Sequence, residues 1–176
     1  MKSFLGLIVL FVIPVLISCG QSSDPHQNTM SDAEIQESLI RVNKEMNKRE
    51  SAQIDSYIKK EKLHVTKTGT GLRYEIYKKG TGKQAIPGMR AKLKFTVSLL
   101  DGTTCYSSDS SGLESFVIDH DQVESGLHEG IKLLHEGDKA KFILPSHLAH
   151  GLIGDKDKIP RRSPIVYDIE LIQLTQ

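Results

Sequence analysis

Residues 92–99 read Lys-Leu-Lys-Phe-Thr-Val-Ser-Leu, in which every second side chain is apolar. Successive side chains of a β-strand point to opposite faces of a sheet, so this alternation predicts a half-buried strand. The same period of two recurs over 72–77, 140–144 and 167–171. Turn-forming residues lie between these segments: Gly80-Thr81-Gly82, Pro87-Gly88, Asp101-Gly102 and Glu136-Gly137-Asp138. This part of the chain is therefore predicted to form a β-sheet.

One segment within the same region has a helical period instead. Its apolar residues fall three and four positions apart, at Val123, Leu127, Ile131 and Leu134. Gly126 and Gly130 lie inside it, and each costs a helix about 1 kcal/mol relative to Ala. We expect these glycines to mark a close approach of the helix to the sheet. A sheet with a single helix on one face gives an α+β domain.

A second helix is predicted upstream, over residues 31–62. Ser31 and Glu34 have the spacing of a capping box. A narrow apolar stripe follows at helical spacing, formed by Ile35, Leu39, Val42 and Met46 and continued by Ile54, Tyr57 and Ile58, and charged residues surround it. Such a stripe must be buried, and two partners remain open: the following domain, or the same helix of a second copy in a homodimer. The stripe ends before the strand pattern begins, so we expect this helix to be separable from the domain.

The amino terminus has the pattern of an export signal. Lys2 precedes an apolar run from Phe4 to Ile17, which is shorter than the roughly 20 residues of a membrane-spanning helix. The Ser18-Cys19 pair at its end resembles the lipobox of bacterial lipoproteins. Residues 1–18 are therefore predicted to be removed, Cys19 to carry a lipid anchor, and the polar residues 19–30 to form a flexible tether. The mature chain is expected on a membrane of the bacterial cell envelope, facing the periplasm.

Charge and cysteine content limit the function classes. Lys2 is one of 23 Lys and Arg residues, against 22 Asp and Glu, so the chain without it is formally neutral. This balance does not favour nucleic acid as a partner. If Cys19 is lipidated, Cys105 has no partner for an internal disulfide, because the chain has two cysteines. The domain must then be stabilised by packing.

The region from about Thr66 to Gln176 resembles the FKBP-type peptidyl-prolyl isomerases. The order and spacing of short motifs over this region carry the likeness: Gly80-x-Gly82, Pro87-Gly88, Asp101-Gly102 with Ser107-Ser108, Phe116, Val123-x-x-Gly126-x-x-x-Gly130, Glu136-Gly137, Pro145, Ala149-x-Gly151, Ile159-Pro160 and Ile165 to Leu171. The resemblance implies an antiparallel sheet wrapped on one short helix, over 66–176, preceded here by the charged helix. With its anchor and helix, the chain further resembles the gliding-motility-associated lipoproteins of this family.

The family's activity is rotation about the peptide bond that precedes proline. No covalent bond is made or broken, so the resemblance implies no cofactor and no metal. Proline-containing exported polypeptides would be the substrates. The family's apolar proline pocket corresponds here to Phe95, Cys105, Phe116, Val123, Leu127, Ile159 and Tyr167. The backbone N–H of Glu124 falls where the family binds a substrate carbonyl, and a backbone donor is kept whatever the side chain.

Several pocket positions depart from the family's pattern. Cys105-Tyr106 replaces the usual Phe-Asp, Leu127 replaces a frequent Trp, and His150 replaces a Tyr. The likeness therefore implies a rim without its acid, where Tyr106 and His150 supply the remaining side-chain donors. Two functions follow: an isomerase, weakened or with altered specificity, or a non-catalytic chaperone or scaffold of a cell-envelope machine.

Rival chemistries are less well supported by the residues. Two histidine pairs have spacings that could place both members on one face, His147 with His150 and His128 with His135. These pairs belong to different elements, so we expect no metal site. Cys105 is expected to be a buried, inert thiol rather than a nucleophile. The loop 154–158 lacks the ligand spacing of a calcium loop and is expected to be a solvated turn.

Overall fold

The computed structural model describes residues 31–176. Its elements in chain order are α1 (Asp32–Glu61), β1 (Thr66–Lys67), β2 (Arg73–Lys78), β3 (Arg90–Leu99), β4 (Thr104–Ser107), α2 (Ser108–Ser111), β5 (Glu114–Val117), α3 (Ser125–Ile131), β6 (Lys139–Leu144), a 3-10 turn (Ser146–Leu148) and β7 (Ile165–Thr175). The strands form one seven-stranded sheet in the order β1-β2-β6-β7-β3-β4, and β5 also pairs with β3. Every pairing is antiparallel. The α+β class and the helix preceding the sheet are confirmed.

The long strands lie where the alternating segments predicted them, at β2, β3, β6 and β7. The central strand β7 is hydrogen-bonded to β6 on one side and to β3 on the other. The sequence did not reveal β1, β4 and β5, which have two, four and four residues. Strands this short carry too few alternating positions to be distinguished from loop.

Helix α3 lies against the inner face of the sheet, as its two glycines predicted. A Cβ atom added to Gly126 would lie 2.7 Å from the side chain of Leu144, and one added to Gly130 would lie 2.5 Å from the ring of Phe142. Atoms that approach so closely overlap strongly, so a larger residue would force the helix away from β6. The expectation that close approach explains these glycines is confirmed.

Helix α1 begins with the predicted capping box. The backbone N–H of Glu34 donates to the Ser31 hydroxyl over 3.3 Å, and the backbone N–H of Ser31 donates to the Glu34 carboxylate over 2.8 Å. The hydrogen bonds from the Ser31 backbone and side chain lower the pKa of Glu34. The helix ends where Lys62 adopts a left-handed conformation, with a φ of 55°. The helix predicted over 31–62 is therefore present at Asp32–Glu61.

The second half of α1 covers the outer face of the sheet. Ile54 is fully buried against Ile143 and Val166, which point away from the inner core. Arg73, which the alternation placed on an exposed face, is 3% exposed. Its guanidinium donates to the Ser51 hydroxyl over 2.7 Å and to the Asp55 carboxylate over 3.0 Å. Helix α3 thus packs on the inner face as predicted, and α1 covers part of the outer face, which was one of the two partners left open for its stripe.

The first half of the apolar stripe remains exposed. Leu39, Val42 and Met46 are 56%, 46% and 41% exposed. Docking on the domain reaches as far as Met46, whose sulfur meets the Arg162 guanidinium, and leaves Leu39 and Val42 uncovered. Pairing with a second copy stays a prediction. The separability of residues 31–62 also stays a prediction. The predicted signal, the tether and Cys19 lie outside the described residues. Within 31–176, no helix has both the length and the apolar character needed to span a membrane.

Candidate functional site

A cavity of about 820 Å³ opens between the inner face of the sheet and the start of α3. Strands β3 and β7 supply one wall, the residues around the N-terminus of α3 supply the opposite wall, and β4 and the loop after β6 close the sides. The residues predicted for the site that line it are Phe95, Tyr106, Val123, Glu124, Leu127, His150 and Tyr167. The fold thus brings together side chains from five separate segments of the chain.

The walls of the cavity are mainly apolar. The rings of Phe95 and Tyr167, on neighbouring strands, have centroids 6.3 Å apart and are tilted by 50°. Leu127, which is 2% exposed, lies opposite them on α3, and Val123 precedes the helix. An apolar surface of this kind suits a proline ring, whose transfer from water is favourable.

Three predicted pocket residues do not line the cavity. Cys105, Phe116 and Ile159 are all buried in the main core. The Phe116 ring packs edge-on against His128, with centroids 5.4 Å apart. Burial raises the pKa of the Cys105 thiol, and the nearby charge of Asp155 adds to this effect; both keep the sulfur protonated and unreactive. A role for these three residues in substrate binding stays a prediction.

A carboxylate lies at the edge of the apolar floor. Oε1 of Glu124 accepts a hydrogen bond from the Tyr167 hydroxyl over 3.0 Å and lies 2.9 Å from Nε2 of His150. Burial raises the pKa of Tyr167 well above its ordinary value, and the charge of Glu124 raises it further. The Tyr167 phenol therefore stays protonated and donates. The sequence prediction assigned a role only to the backbone of Glu124. The buried hydroxyl of Tyr167 needs an acceptor, and this requirement could have pointed to the Glu124 side chain.

The backbone N–H of Glu124 is a free donor at the cavity. No backbone or side-chain acceptor within residues 31–176 meets it, although most backbone N–H groups in folded proteins are paired. Glu124 has an extended backbone immediately before α3, with φ of −58° and ψ of 137°. This N–H is thus unpaired within the described residues and belongs to a residue that lines the cavity, and its role toward a substrate carbonyl stays a prediction.

The rim residue Tyr106 is paired with an acid from the loop 154–158. The Tyr106 hydroxyl donates to the carboxylate of Asp155 and lies 3.3 Å from that of Asp157. Asp155 also accepts the backbone N–H groups of Asp157 and Ile159, over 2.9 and 2.8 Å. The loop 154–158 is therefore not simply a solvated turn, because Asp155 organises it against Tyr106. The Tyr106 hydroxyl is occupied and does not face a substrate as a free donor.

Asp155 holds a low pKa in this arrangement. Its burial raises the pKa, but the hydrogen bonds from Tyr106 and from the backbone of Asp157 and Ile159 outweigh this, and the pKa falls to about 2. The hydrogen bond to Asp155, with burial and the nearby negative charge, raises the pKa of Tyr106 to about 12. Tyr106 and Asp155 thus remain a neutral donor and a charged acceptor over the ordinary pH range.

Replacing Tyr106 with Phe is expected to destabilise the protein by about 1 kcal/mol near pH 7, the usual net value of one hydrogen bond. Asp155 has a lower pKa in the folded protein than its ordinary value of 3.8. Its stabilising contribution is therefore present above about pH 4 and is lost as the pH falls toward 2. Urea unfolding should show a difference between wild type and variant that shrinks in acid.

The matched control is Tyr74→Phe, because no hydrogen bond of the Tyr74 hydroxyl occurs in the described part of the chain. A Tyr106→Phe difference that is absent at pH 7, or that stays constant down to pH 2.5, would contradict the assigned pairing.

Other cavity residues were missed by the sequence reasoning. Leu93 and Val97 flank Phe95 at positions i−2 and i+2 of β3, and Glu114 lies two residues before Phe116 on β5. Residues two apart share one face of a strand, so the alternation around Phe95 could have revealed the first two. Asp121 and His128 also line the cavity. His128 accepts the Asp119 backbone N–H at Nδ1 over 3.0 Å, which ties α3 to the preceding turn.

The histidines do not assemble a metal centre. Across residues 31–176, no group of three or more His, Cys, Asp or Glu side chains is placed to hold a metal ion. The arrangement instead offers an apolar cavity, a free backbone donor and a positioned carboxylate. These groups can bind and orient an extended chain, but they include no activated nucleophile.

The chain is similar to known proteins over most of the region that forms the sheet. Residues 81–172 match the family model described as FKBP-type peptidyl-prolyl cis-trans isomerase. The chain is 34% identical over 158 residues to the FKBP-type peptidyl-prolyl cis-trans isomerase FkpA of Aeromonas hydrophila, covering 82% of this chain and 58% of that protein. It is 36% identical over 110 residues to a probable FkpA of Neisseria meningitidis serogroup B, covering 62% of this chain and 40% of that protein. The chain thus spans about half the length of these curated relatives.

A solved structure shows the same architecture. The crystal structure of FkpA from Escherichia coli superposes with a TM-score of 0.64 at 28% identity, covering 84% of this chain and 74% of that chain. The matched residues 81–172 contain the strands β3 to β6, helix α3 and most of β7, which together enclose the cavity. By its sequence match and its fold, the chain belongs to the FKBP-type peptidyl-prolyl cis-trans isomerase family.

Proposed function

We propose that the chain catalyses cis-trans isomerisation of peptide bonds that precede proline. The observation that carries this proposal is the cavity between Phe95, Tyr167 and Leu127, with the unpaired Glu124 N–H at its edge. An apolar floor that accepts a proline ring and a backbone donor that holds a carbonyl are the two elements that the reaction needs. Family membership supports the same activity.

The chemistry follows from the amide group. Resonance gives the C–N bond partial double-bond character and a rotation barrier of about 18–20 kcal/mol. A site that binds the twisted amide more tightly than either planar isomer lowers this barrier. The planar form is the more polar one, so an environment that excludes water favours the twisted form. Phe95, Tyr167 and Leu127 supply that environment, and the Glu124 N–H fixes the orientation of the bound chain.

A protease-coupled assay on residues 31–176 tests the proposal. A tetrapeptide with a central proline should isomerise faster with the protein than without it, in proportion to protein concentration. A rate equal to the uncatalysed rate, with the protein folded by circular dichroism, would reject catalysis.

His150 is proposed to tune the site rather than to carry the reaction. Its Nε2 lies 2.9 Å from the Glu124 carboxylate, and replacing it with Phe removes the side-chain donor at this position, whose hydrogen bond to a substrate would be worth about 0.5–1.5 kcal/mol. The expected result is a fall in kcat/KM of a few-fold to tenfold. His150→Tyr keeps a donor at this position and should maintain or raise kcat/KM. Equal losses in the two variants would show that the donor is not what matters.

A second function has specific support. The Tyr106 hydroxyl and His150 Nε2 are both engaged by carboxylates, which leaves fewer donors for a substrate. A binding module that holds proline-containing chains without accelerating their isomerisation would fit this arrangement. Peptide binding measured by calorimetry, combined with an uncatalysed rate in the assay above, would favour this chaperone or scaffold function.

We further propose that the protein assists the folding of exported proteins from a lipid anchor at Cys19. The support is the Leu16-Ile17-Ser18-Cys19 junction after an apolar run. Each buried methylene of an acyl chain contributes about 0.8 kcal/mol, so two chains suffice without a basic patch. The periplasmic location belongs to the same proposal, and the likeness to gliding-motility-associated lipoproteins stays a prediction.

Replacing Cys19 with Ser is expected to release the protein from membranes or to leave an unprocessed precursor. Cell fractionation and intact mass measure both outcomes, and Cys105→Ser serves as the control that leaves anchoring intact. An unchanged membrane fraction of unchanged mass would contradict lipidation.

A homodimer through residues 31–62 completes the proposal. It would bury the exposed Leu39, Val42 and Met46. Sedimentation of residues 31–176 should then show a dimer that is lost when Leu39 and Val42 are both replaced with Asn.

A further inference from the structure

The Glu124 side chain presents an acceptor that the described protein does not use. Both of its partners, the Tyr167 hydroxyl and Nε2 of His150, meet the same oxygen, Oε1. Within residues 31–176, no donor meets Oε2. Oε2 is also absent from the buried polar atoms that lack partners, so it is not sealed from solvent, and it belongs to a residue that lines the cavity. The carboxylate is held in place through one oxygen and offers the other.

A neutral phenol holds this carboxylate without removing its charge. Tyr167 stays protonated because burial and the charge of Glu124 raise its pKa, and Nε2 of His150 lies 2.9 Å from the same oxygen. The Glu124 side chain is 14% exposed, so water screens its charge less than it would on an open surface. The cavity therefore contains a formal negative charge beside its apolar floor.

No cation of the described chain balances that charge inside the cavity. Its lining includes Glu114 and Asp121 in addition to Glu124, but neither Lys nor Arg. Lys158 is close to the rim, where its ammonium lies 4.9 Å from the centre of the Tyr106 ring. That lysine shares the rim with Asp155 and Asp157, so it does not reverse the sign of the site.

We propose that Glu124 is a specificity determinant that selects substrates with a Lys or Arg residue adjacent to the proline. An ammonium or guanidinium group that reaches Oε2 gains a charge-assisted hydrogen bond in a partly dry site. An acidic residue at the same position is repelled by Glu124, Glu114 and Asp121. This inference rests on the proposed function, since it concerns the side chains that flank the proline in the same cavity.

The test compares peptides that differ in one residue. Two series, Ala-X-Pro-Ala and Ala-Pro-X-Ala with X as Lys, Leu or Glu, are assayed with the full chain in mild detergent at pH 8. Isomerisation is measured by NMR exchange, which needs no protease, and binding by calorimetry. In at least one series we expect the kcat/KM of the Lys peptide to be about tenfold higher than that of the Leu peptide. The kcat/KM of the Glu peptide should be lower than that of the Leu peptide. In 1 M salt the preference should shrink, because charges are screened over about 3 Å.

The deciding variant is Glu124→Gln, which removes the charge and keeps the shape. It should reduce the preference for Lys over Leu to twofold or less, and the ratio of the two peptides decides the test whatever the change in kcat/KM for the Leu peptide. The matched control is Glu129→Gln on α3, because Glu129 bonds Thr70 and does not line the cavity. This control should keep the full preference.

The inference is overturned if the wild type shows no preference for Lys in either series, or if Glu124→Gln keeps it. A failure of the proposed function gives a different result: the protein would not accelerate the isomerisation of any peptide above its uncatalysed rate. In that case the calorimetric ratio of Lys to Leu affinity, and its loss in Glu124→Gln, still decides whether Glu124 selects the cation.

Discussion

Replacing Tyr167 with Ala is expected to abolish measurable isomerase activity and to lower the free energy of unfolding by about 3–5 kcal/mol. The ring is 6% exposed and forms the cavity wall together with Phe95. Its removal enlarges the cavity, admits water to the site of the twisted amide and takes one donor from Glu124. Activity falls because the water-excluding wall is lost, and stability falls because the same ring belongs to the core.

Tyr167→Phe separates these two effects. It keeps the ring and removes only the hydroxyl that donates to Glu124. We expect the Phe variant to keep most of its activity toward a Leu-Pro peptide and to lose about 1 kcal/mol of stability. The Ala variant must be assayed at a temperature where circular dichroism shows it folded. A folded Ala variant with near-normal kcat/KM would show that the proline does not bind against this ring.

The fold was largely predictable because its signals are local. The alternation over 92–99 and 167–171 reports one buried sheet face, and the spacing from Val123 to Leu134 reports one helix face. Gly126 and Gly130 predicted that α3 approaches the sheet closely, as the structure shows. Each of these inferences needs only a few consecutive residues and a fixed geometry.

The outer face of the sheet was not predictable in the same way. Period-two alternation marks Arg73 as exposed. In the structure α1 covers that side of the sheet, and its residues Ser51 and Asp55 accept hydrogen bonds from the Arg73 guanidinium. Whether a face is covered depends on which distant element docks there. A long helix with a single apolar stripe leaves the docking partner open, as the stripe of α1 did.

The polar part of the site depended on pairs far apart in sequence. Tyr106 meets Asp155, 49 residues later, and Tyr167 meets Glu124, 43 residues earlier. Comparison with the family's pattern showed that the usual acid is missing beside Ser107. It did not show that Asp155, in a distant loop, accepts from the Tyr106 hydroxyl. The two pairs have a common consequence: acids occupy the hydroxyls of Tyr106 and Tyr167, whereas the backbone N–H of Glu124 has no partner within the described residues.

The last prediction concerns a chain that begins at Val65, which is expected to fold with a free energy of unfolding lowered by about 2–5 kcal/mol. The truncation uncovers Ile143 and Val166 by removing Ile54, and burial of one such side chain accounts for most of this loss. Arg73 loses two partners, but it returns to water instead of staying buried, so it adds little. The main core, around Phe142, is a separate cluster of buried residues that excludes α1.

Two single variants of the full chain test whether this loss of unfolding free energy comes from α1. Ile54→Ala should reproduce most of it, since Ile54 is fully buried, whereas Ile40→Ala should leave stability unchanged because Ile40 is 67% exposed. Urea unfolding followed by circular dichroism measures all three proteins. A typical domain has about 5–15 kcal/mol of stability, so the truncated chain should still unfold cooperatively, and its cavity should still bind a proline peptide. A truncated chain without a cooperative transition would mean that the outer cluster is needed for the sheet to form, and that residues 31–62 belong to the domain itself.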